Sequence, residues 1–161
     1  MSKITAAITG VGAYLPEYKL TNQILETMVD TNDEWITTRT GIKERRILKE
    51  EGKGTSFLAI KAAQNLIDKK GIDPKDIELV IVATATPDMK AASTAAFTAT
   101  EIGATNAFSF DLEAACSSFL FGMSVASSYI ESGKYKNVLL IGADKNSSFI
   151  NYKDRATCII F

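Results

Sequence analysis

The pattern of apolar and polar positions separates this chain into alternating strand-like and helix-like stretches. Lys3 to Val11 is rich in Ile, Val, Thr and Ala and runs into Gly10-Val11-Gly12, which predicts a buried strand and then a turn. Thr21-Asn22 offers an N-cap for a helix with Ile24, Leu25 and Met28 on its apolar side. A second short helix is predicted near Asn32-Asp33, carrying Trp35 and Arg39 and closed by Gly41. Thr55-Ser56 then cap a longer amphipathic helix in which Leu58, Ala62, Leu66 and Ile67 recur at helical spacing until Gly71.

Asp73-Pro74-Lys75-Asp76 reads as a turn, with Pro where φ is fixed. Ile77 to Ala85 is a near-continuous apolar strand, the pattern of a parallel strand covered on both faces. A small-residue helix is expected over Ser93 to Ile102, a central strand over Ala107 to Leu112, and the longest helix over Ala114 to Ser132, ended by Gly133. Asn137 to Ala143 reads as a third buried strand, and Thr157 to Phe161 as the start of another. Strands alternating with helices indicate a layered α/β fold. No linker, low-complexity tract or internal repeat interrupts it. The apolar Cys158-Ile159-Ile160-Phe161 would be an aggregation liability as an uncovered strand, so the sequence is expected to be cut rather than finished.

Composition narrows the classes of function. The 161 residues are about one domain's worth, and 46% hydrophobic with 23% charged residues is the profile of a globular domain. Lys+Arg 18 against Asp+Glu 19 gives a net charge of −1 and no basic stripe for nucleic acid. Arg45-Arg46 and Glu50-Glu51 read as ordinary solvated charges. No apolar run approaches the roughly 18–20 residues of a membrane span, and the N-terminus lacks a secretory core. Two cysteines do not make a disulfide framework, so a reduced, cytoplasmic setting is expected. No metal site is expected. Histidine is absent, so any step needing an imidazole must borrow it.

Cys116 is the candidate nucleophile. The strand ending at Leu112 runs into Glu113-Ala114-Ala115-Cys116-Ser117-Ser118, which places the thiol at a strand-to-helix turn near the N-terminus of a buried helix. Backbone N–H groups and the positive dipole end there favour a thiolate and can hold an oxyanion. The competing reading is a buried cysteine acting as a small hydrophobe. Spacing alone does not decide at Cys116, and the hydrophobe reading is the stronger one at Cys158.

Four segments in order along the chain carry a resemblance. They are Gly10-Val11-Gly12-Ala13-Tyr14-Leu15-Pro16, the run Val29-Asp30-Thr31-Asn32-Asp33-Glu34-Trp35-Ile36-Thr37-Thr38-Arg39-Thr40-Gly41-Ile42 continued by Glu44-Arg45-Arg46, Asp111 to Phe119 around Cys116, and Asp154-Arg155-Ala156-Thr157. Together they resemble the β-ketoacyl-[acyl-carrier-protein] synthase III family. A dinucleotide-binding reading of Gly10-x-Gly12 is discarded, because the third glycine is missing and Leu15-Pro16 stands where the helix should open.

The resemblance implies a thiolase-like layered fold, αβαβα in the full-length family, with residues 1–161 as the first of two similar halves, truncated at the C-terminal end. It implies an acyltransferase. Cys116 would attack an acyl-CoA thioester, and malonyl-acyl carrier protein would then decarboxylate and condense with the acyl group, initiating type II fatty acid synthesis. Trp35 and Arg155 match positions that sandwich the CoA adenine, and Thr31 and Arg39 match positions near its nucleotide part. CoA is substrate here, and no permanently bound cofactor is implied. The family's His and Asn lie in the second half, so this fragment alone is expected not to complete condensation. A homodimer is implied.

Ala91-Ala92 stands where many relatives carry an aromatic-Pro pair, which suggests a longer or branched primer. Two alternatives stand beside this reading. One is a related thiolase-fold enzyme making hydroxymethylglutaryl-CoA or a polyketide starter, against which the Trp35 segment argues. The other is a non-catalytic, partner-dependent half of a thiolase-fold assembly.

Overall fold

The computed structural model describes residues 4–161, and the chain divides into two compact units. The first comprises residues 4–14 and 54–144 and is built on a three-stranded parallel sheet. Its strands are β3 (Leu79–Ala83), β4 (Phe108–Leu112) and β5 (Val138–Gly142), in the order β4-β3-β5. In register, Leu79 faces Phe108 on one side and Val138 on the other. All five residues of β3 are buried, as a central parallel strand requires.

Side chains alternate across the sheet, so each face packs a different layer. Val80, Val82, Leu139 and Ile141 meet Ala59, Ala63 and Ile67 of α3 (Thr55–Lys70) and Ala95 and Ala99 of α4 (Thr94–Glu101). The opposite face receives α5 (Ser118–Glu131). That approach is close: a Cβ on Gly122 would lie 2.5 Å from Leu140 Cδ1, and one on Gly142 would lie 2.9 Å from Phe119 Cδ2. Small residues at these two points let helix and strand touch.

The second unit comprises residues 15–53 and 145–161. Here β1 (Tyr18–Thr21) pairs antiparallel with β2 (Glu44–Ile47), with Tyr18 opposite Ile47 and Leu20 opposite Arg45. Between them lie α1 (Asn22–Glu26) and α2 (Asp33–Thr40). Leu20, Leu25, Ile36, Cys158 and Ile159 form the core; Cys158 ends α6 (Arg155–Cys158) and Ile159 follows it directly.

Several expectations are corrected. Among the described residues 4–11 no strand forms, and Lys3 lies outside them; Ile8 and Val11 are exposed, and Gly12 instead lies against α3. β-branched residues favour a pleated surface only where a neighbouring strand supplies the ladder. The expected strand at Thr157 to Phe161 is instead the single helical turn of α6 and its exit. Asp154 starts that turn by accepting the Ala156 N–H at 3.0 Å. Thr55 and Ser56 form the first turn of α3 rather than its cap, which is Gly54; the Asp88 carboxylate accepts the Ser56 N–H at 3.1 Å. Ile24 and Met28 are exposed, because α1 is only five residues long and Leu25 is the one apolar side chain it buries, beside the polar Asn22.

Candidate active site

β4 ends at Leu112 and α5 begins at Ser118, and a single 3-10 turn, Ala115–Ser117, bridges them with Cys116 at its centre. Cys116 is exposed. The turn departs from ordinary backbone at one point: Ala115 has φ +47°, the one positive-φ non-glycine among the described residues. The left-handed region costs an L-residue about 1–2 kcal/mol, and such strain persists only where the surroundings hold it.

One side chain holds the turn directly, and a second anchors the strand that leads into it. Buried Ser118 accepts the Ala114 N–H at 2.6 Å and donates to the Ala115 carbonyl at 2.7 Å, which clasps both sides of the strained residue. Asp111, one residue before the end of β4, accepts from the Ser93 hydroxyl at 3.0 Å, the Thr94 N–H at 2.8 Å and the Ala95 N–H at 2.7 Å. The carboxylate thereby ties β4 to the first turn of α4. Neither role was visible in the sequence, where Ser118 and Asp111 were simply parts of the cysteine segment.

The start of α5 brings backbone N–H groups and a positive dipole end to the same turn. The geometry suits a nucleophile that attacks a carbonyl carbon, with donors at hand for the oxyanion. One expectation about α5 is corrected. The helix is not buried: Ser118 and Gly122 are its only buried residues, and Phe119, Leu120 and Phe121 are 45%, 63% and 56% exposed. The apolar run that suggested a buried helix faces outward. Cys158, in contrast, is fully buried, and burial pushes its thiol up from the ordinary value while Arg45 opposes the shift.

The remaining candidates belong to the second unit. The Asn32 side chain caps α2 by accepting the Trp35 N–H at 2.7 Å, fixing the start of the helix that carries the indole. Arg39, one turn on, and Arg155, the first residue of α6, each bring a guanidinium carbon 4.4 Å from the Trp35 ring centroid. The structure therefore brings three of the four expected CoA-contacting residues into one cluster. A purine between Trp35 and Arg155 needs two stacked layers of about 3.5 Å each. The Arg155 head must consequently move aside before a ring can enter. The Thr31 hydroxyl is buried without a hydrogen-bond partner.

Arg45 is the largest departure from expectation. It is 6% exposed rather than solvated. One terminal nitrogen donates to Asn22 Oδ1 at 2.6 Å and the other to the Ile159 carbonyl, while Nε finds no partner. Burial lowers its pKa, and the neighbouring Cys158 and Tyr152 act against that shift. Tyr152 is raised by burial first and by Cys158 second, and its hydroxyl is also unpartnered. Inward-facing Arg45 sits opposite Leu20 in the β1–β2 register, a pairing that a charged strand does not advertise.

Among the described residues no group of three His, Cys, Asp or Glu side chains could hold a metal ion, and no helix is long and apolar enough to cross a membrane.

Comparison with known proteins adds an independent measure. Residues 110–161 match the family described as 3-oxoacyl-[acyl-carrier-protein (ACP)] synthase III. The whole chain is 58% identical over 161 residues to the β-ketoacyl-[acyl-carrier-protein] synthase III 2 of Bacteroides thetaiotaomicron and covers 48% of it. The structure of 3-oxoacyl-[acyl-carrier-protein] synthase III from Aquifex aeolicus VF5 matches 94% of this chain and 49% of its own, at 47% identity and a TM-score of 0.90. The corresponding Thermus thermophilus synthase matches 97% of this chain and 48% of its own, at 41% identity and a TM-score of 0.92. The chain thus spans about half the length of the relatives it matches.

Proposed function

The chain is a homologue of the N-terminal half of β-ketoacyl-[acyl-carrier-protein] synthase III and has the thiolase-like α/β fold of that half, and on this premise we propose that it supplies the acyl-accepting cysteine and CoA-contacting residues of a condensing enzyme. The observation that carries the reading is the exposed Cys116 on a strained turn between β4 and α5.

In the proposed half-reaction the Cys116 thiolate attacks the carbonyl carbon of an acyl-CoA thioester. A carbon–sulfur bond forms, and the carbonyl electrons move to oxygen, where N–H donors at the start of α5 stabilise the charge. The oxyanion then collapses, the bond to the CoA sulfur breaks, and CoA leaves as its thiolate and takes up a proton. Trp35, Arg39, Thr31 and Arg155 bind the nucleotide end of CoA, where a guanidinium meets purine and phosphate. Condensation of the acyl group with malonyl-acyl carrier protein, the opening step of type II fatty acid synthesis, needs an imidazole, and this chain contains no histidine. The His and Asn assigned by family resemblance to the second half complete the site from outside these residues. The full enzyme is proposed to act as a cytoplasmic homodimer, with Ala91-Ala92 admitting a longer or branched primer.

The test is intact mass after incubation with acetyl-CoA and with longer and branched acyl-CoAs. Cys116→Ala is expected to abolish the acyl adduct and Cys158→Ala to keep it. A full-length version restoring the second half is expected to condense the acyl group. Absence of any Cys116 adduct in both the chain and the full-length version would refute the reading. Exclusive use of acetyl-CoA would refute the primer assignment alone.

A second reading, a non-catalytic half that serves a partner chain, is favoured by the outward-facing Phe119, Leu120 and Phe121. It predicts a stable complex with the second half and no thiol chemistry at Cys116.

A further inference from the structure

The Trp35–Arg155 contact joins residues 120 positions apart in sequence. What holds α2 and α6 in register lies beneath it, in a buried polar chain within the second unit. Asn22, fully buried, uses one amide nitrogen on both ends of α2: it donates to Asp33 Oδ1 at 2.7 Å, at the first residue of the helix, and to the Ile42 carbonyl at 2.8 Å, just beyond its closing Gly41. The Thr37 hydroxyl donates to the same Asp33 oxygen at 3.2 Å. Asn22 Oδ1 accepts from Arg45, whose other terminal nitrogen donates to the Ile159 carbonyl immediately after α6. Trp35 and Arg155 are therefore joined by a continuous path: α2, Asn22, Arg45, Ile159, α6.

The residue types are telling. Among the described residues no carboxylate pairs with Arg45; Asp33 is reached through Asn22. A guanidinium buried without a counterion is a poor way to fill space, since an apolar side chain of similar volume does so without the desolvation cost. What it offers is a rigid fork that reaches two acceptors at fixed angles, which a lysine's single ammonium does not reproduce.

We propose that Arg45 and Asn22 are positioning residues that set Arg155 against Trp35 and so shape the CoA-contacting cluster. The inference rests on the reading of that cluster given above. Its consequence for binding follows from the geometry: a guanidinium released from Trp35 no longer offers a stacking plane at a fixed place.

Trp35 is the single tryptophan of the chain, so tryptophan emission reports on this ring alone. The test compares acrylamide quenching of that emission in the wild-type chain, Arg45→Lys, Arg155→Ala and the double variant, with far-UV circular dichroism confirming that each is folded. Arg155→Ala uncovers the ring and is expected to raise quenching. Arg45→Lys keeps the charge and most of the stem yet is expected to raise quenching equally, with no further rise in the double variant. Wild-type quenching in Arg45→Lys, or a rise that adds to that of Arg155→Ala, overturns the proposal. Should Arg45→Lys fail to fold, Asn22→Asp is measured in its place, because it keeps the acceptor for Arg45 while removing the donor to Asp33 and Ile42; the same rise is expected, and wild-type quenching overturns the proposal.

A CoA titration separates the two readings. If wild-type chain binds CoA, Arg45→Lys is expected to weaken binding about tenfold, the scale of a coupled contact. If wild-type chain does not bind CoA, the assignment of the cluster falls, and the quenching comparison still decides the role of Arg45.

Discussion

Substituting Gly12 tests how closely the N-terminal stretch lies on α3. A Cβ at residue 12 would stand 2.7 Å from the Ala62 carbonyl oxygen, 2.7 Å from the Leu66 backbone nitrogen and 2.7 Å from Leu66 Cβ. Two of these atoms belong to the backbone of a helix and cannot rotate away. Carbon atoms rest comfortably at about 3.5–4.0 Å, so the stretch in Gly12→Ala must back off α3 by roughly 1 Å. Overpacking of this kind costs about 1–3 kcal/mol. Ala also restricts the unfolded chain, which returns about 0.4–1 kcal/mol where the native φ suits it, and Gly12 has no positive φ. The net expectation is destabilisation by about 1–2 kcal/mol.

Gly10→Ala is the internal control. Its nearest neighbours are Leu66 Cδ1 at 2.7 Å and Lys70 Cε at 3.3 Å, both near the ends of flexible side chains that can turn aside. The steric and entropic terms then nearly cancel, to within about 0.5 kcal/mol. Urea unfolding followed by far-UV circular dichroism at neutral pH measures both variants. A Gly12→Ala midpoint equal to or above that of Gly10→Ala would refute the close-approach argument.

Two further predictions concern the nucleophile turn and the pH response. At Ala115, valine is expected to destabilise by about 2 kcal/mol, because a β-branched side chain tolerates positive φ poorly. Glycine there should leave stability within about 0.5 kcal/mol, the relief of strain being offset by a freer unfolded chain; equal urea midpoints for the two variants would contradict the strain. Glu78 accepts the N–H groups of Lys136 and Asn137, and these bonds hold its carboxyl below the ordinary 4.5. The unfolded chain therefore protonates first, so the stabilisation is full above about 4.5 and is lost as pH falls through the lower folded value. The gap in urea midpoint between wild type and Glu78→Gln should close as pH drops well below 4.5, and a gap that persists there would exclude this origin.

The sequence was most legible where a local signal and a tertiary role coincide. Asn32 and Gly41 bracket α2 because a side-chain cap and a left-handed exit are local chemistry. The unbroken apolar run of β3 announces a strand buried on both faces. Cys116 stands at the anticipated strand-to-helix turn for the same reason. The pairing of Glu44–Ile47 with Tyr18–Thr21 was not legible, since one partner is charge-rich and the two are separated by two helices. Arg45 carried no sign of burial, because its two acceptors come from residues 23 and 114 positions away. The left-handed Ala115 was equally silent: a glycine would have announced it, and an alanine conceals it.

The direct contact between Arg155 and Trp35 also bears on how tightly any planar ligand is held there. An arginine resting on an indole at an exposed position is favoured by about 0.5–1 kcal/mol, so the open arrangement is the minor one by roughly two- to fivefold, and measured affinity is lowered by that fraction. Removing the Arg155 head would then have two opposed effects, losing a stacking partner for the ligand while abolishing the closed competitor. The cluster carries its own internal ligand, and the affinity it shows to others is what remains after that competition.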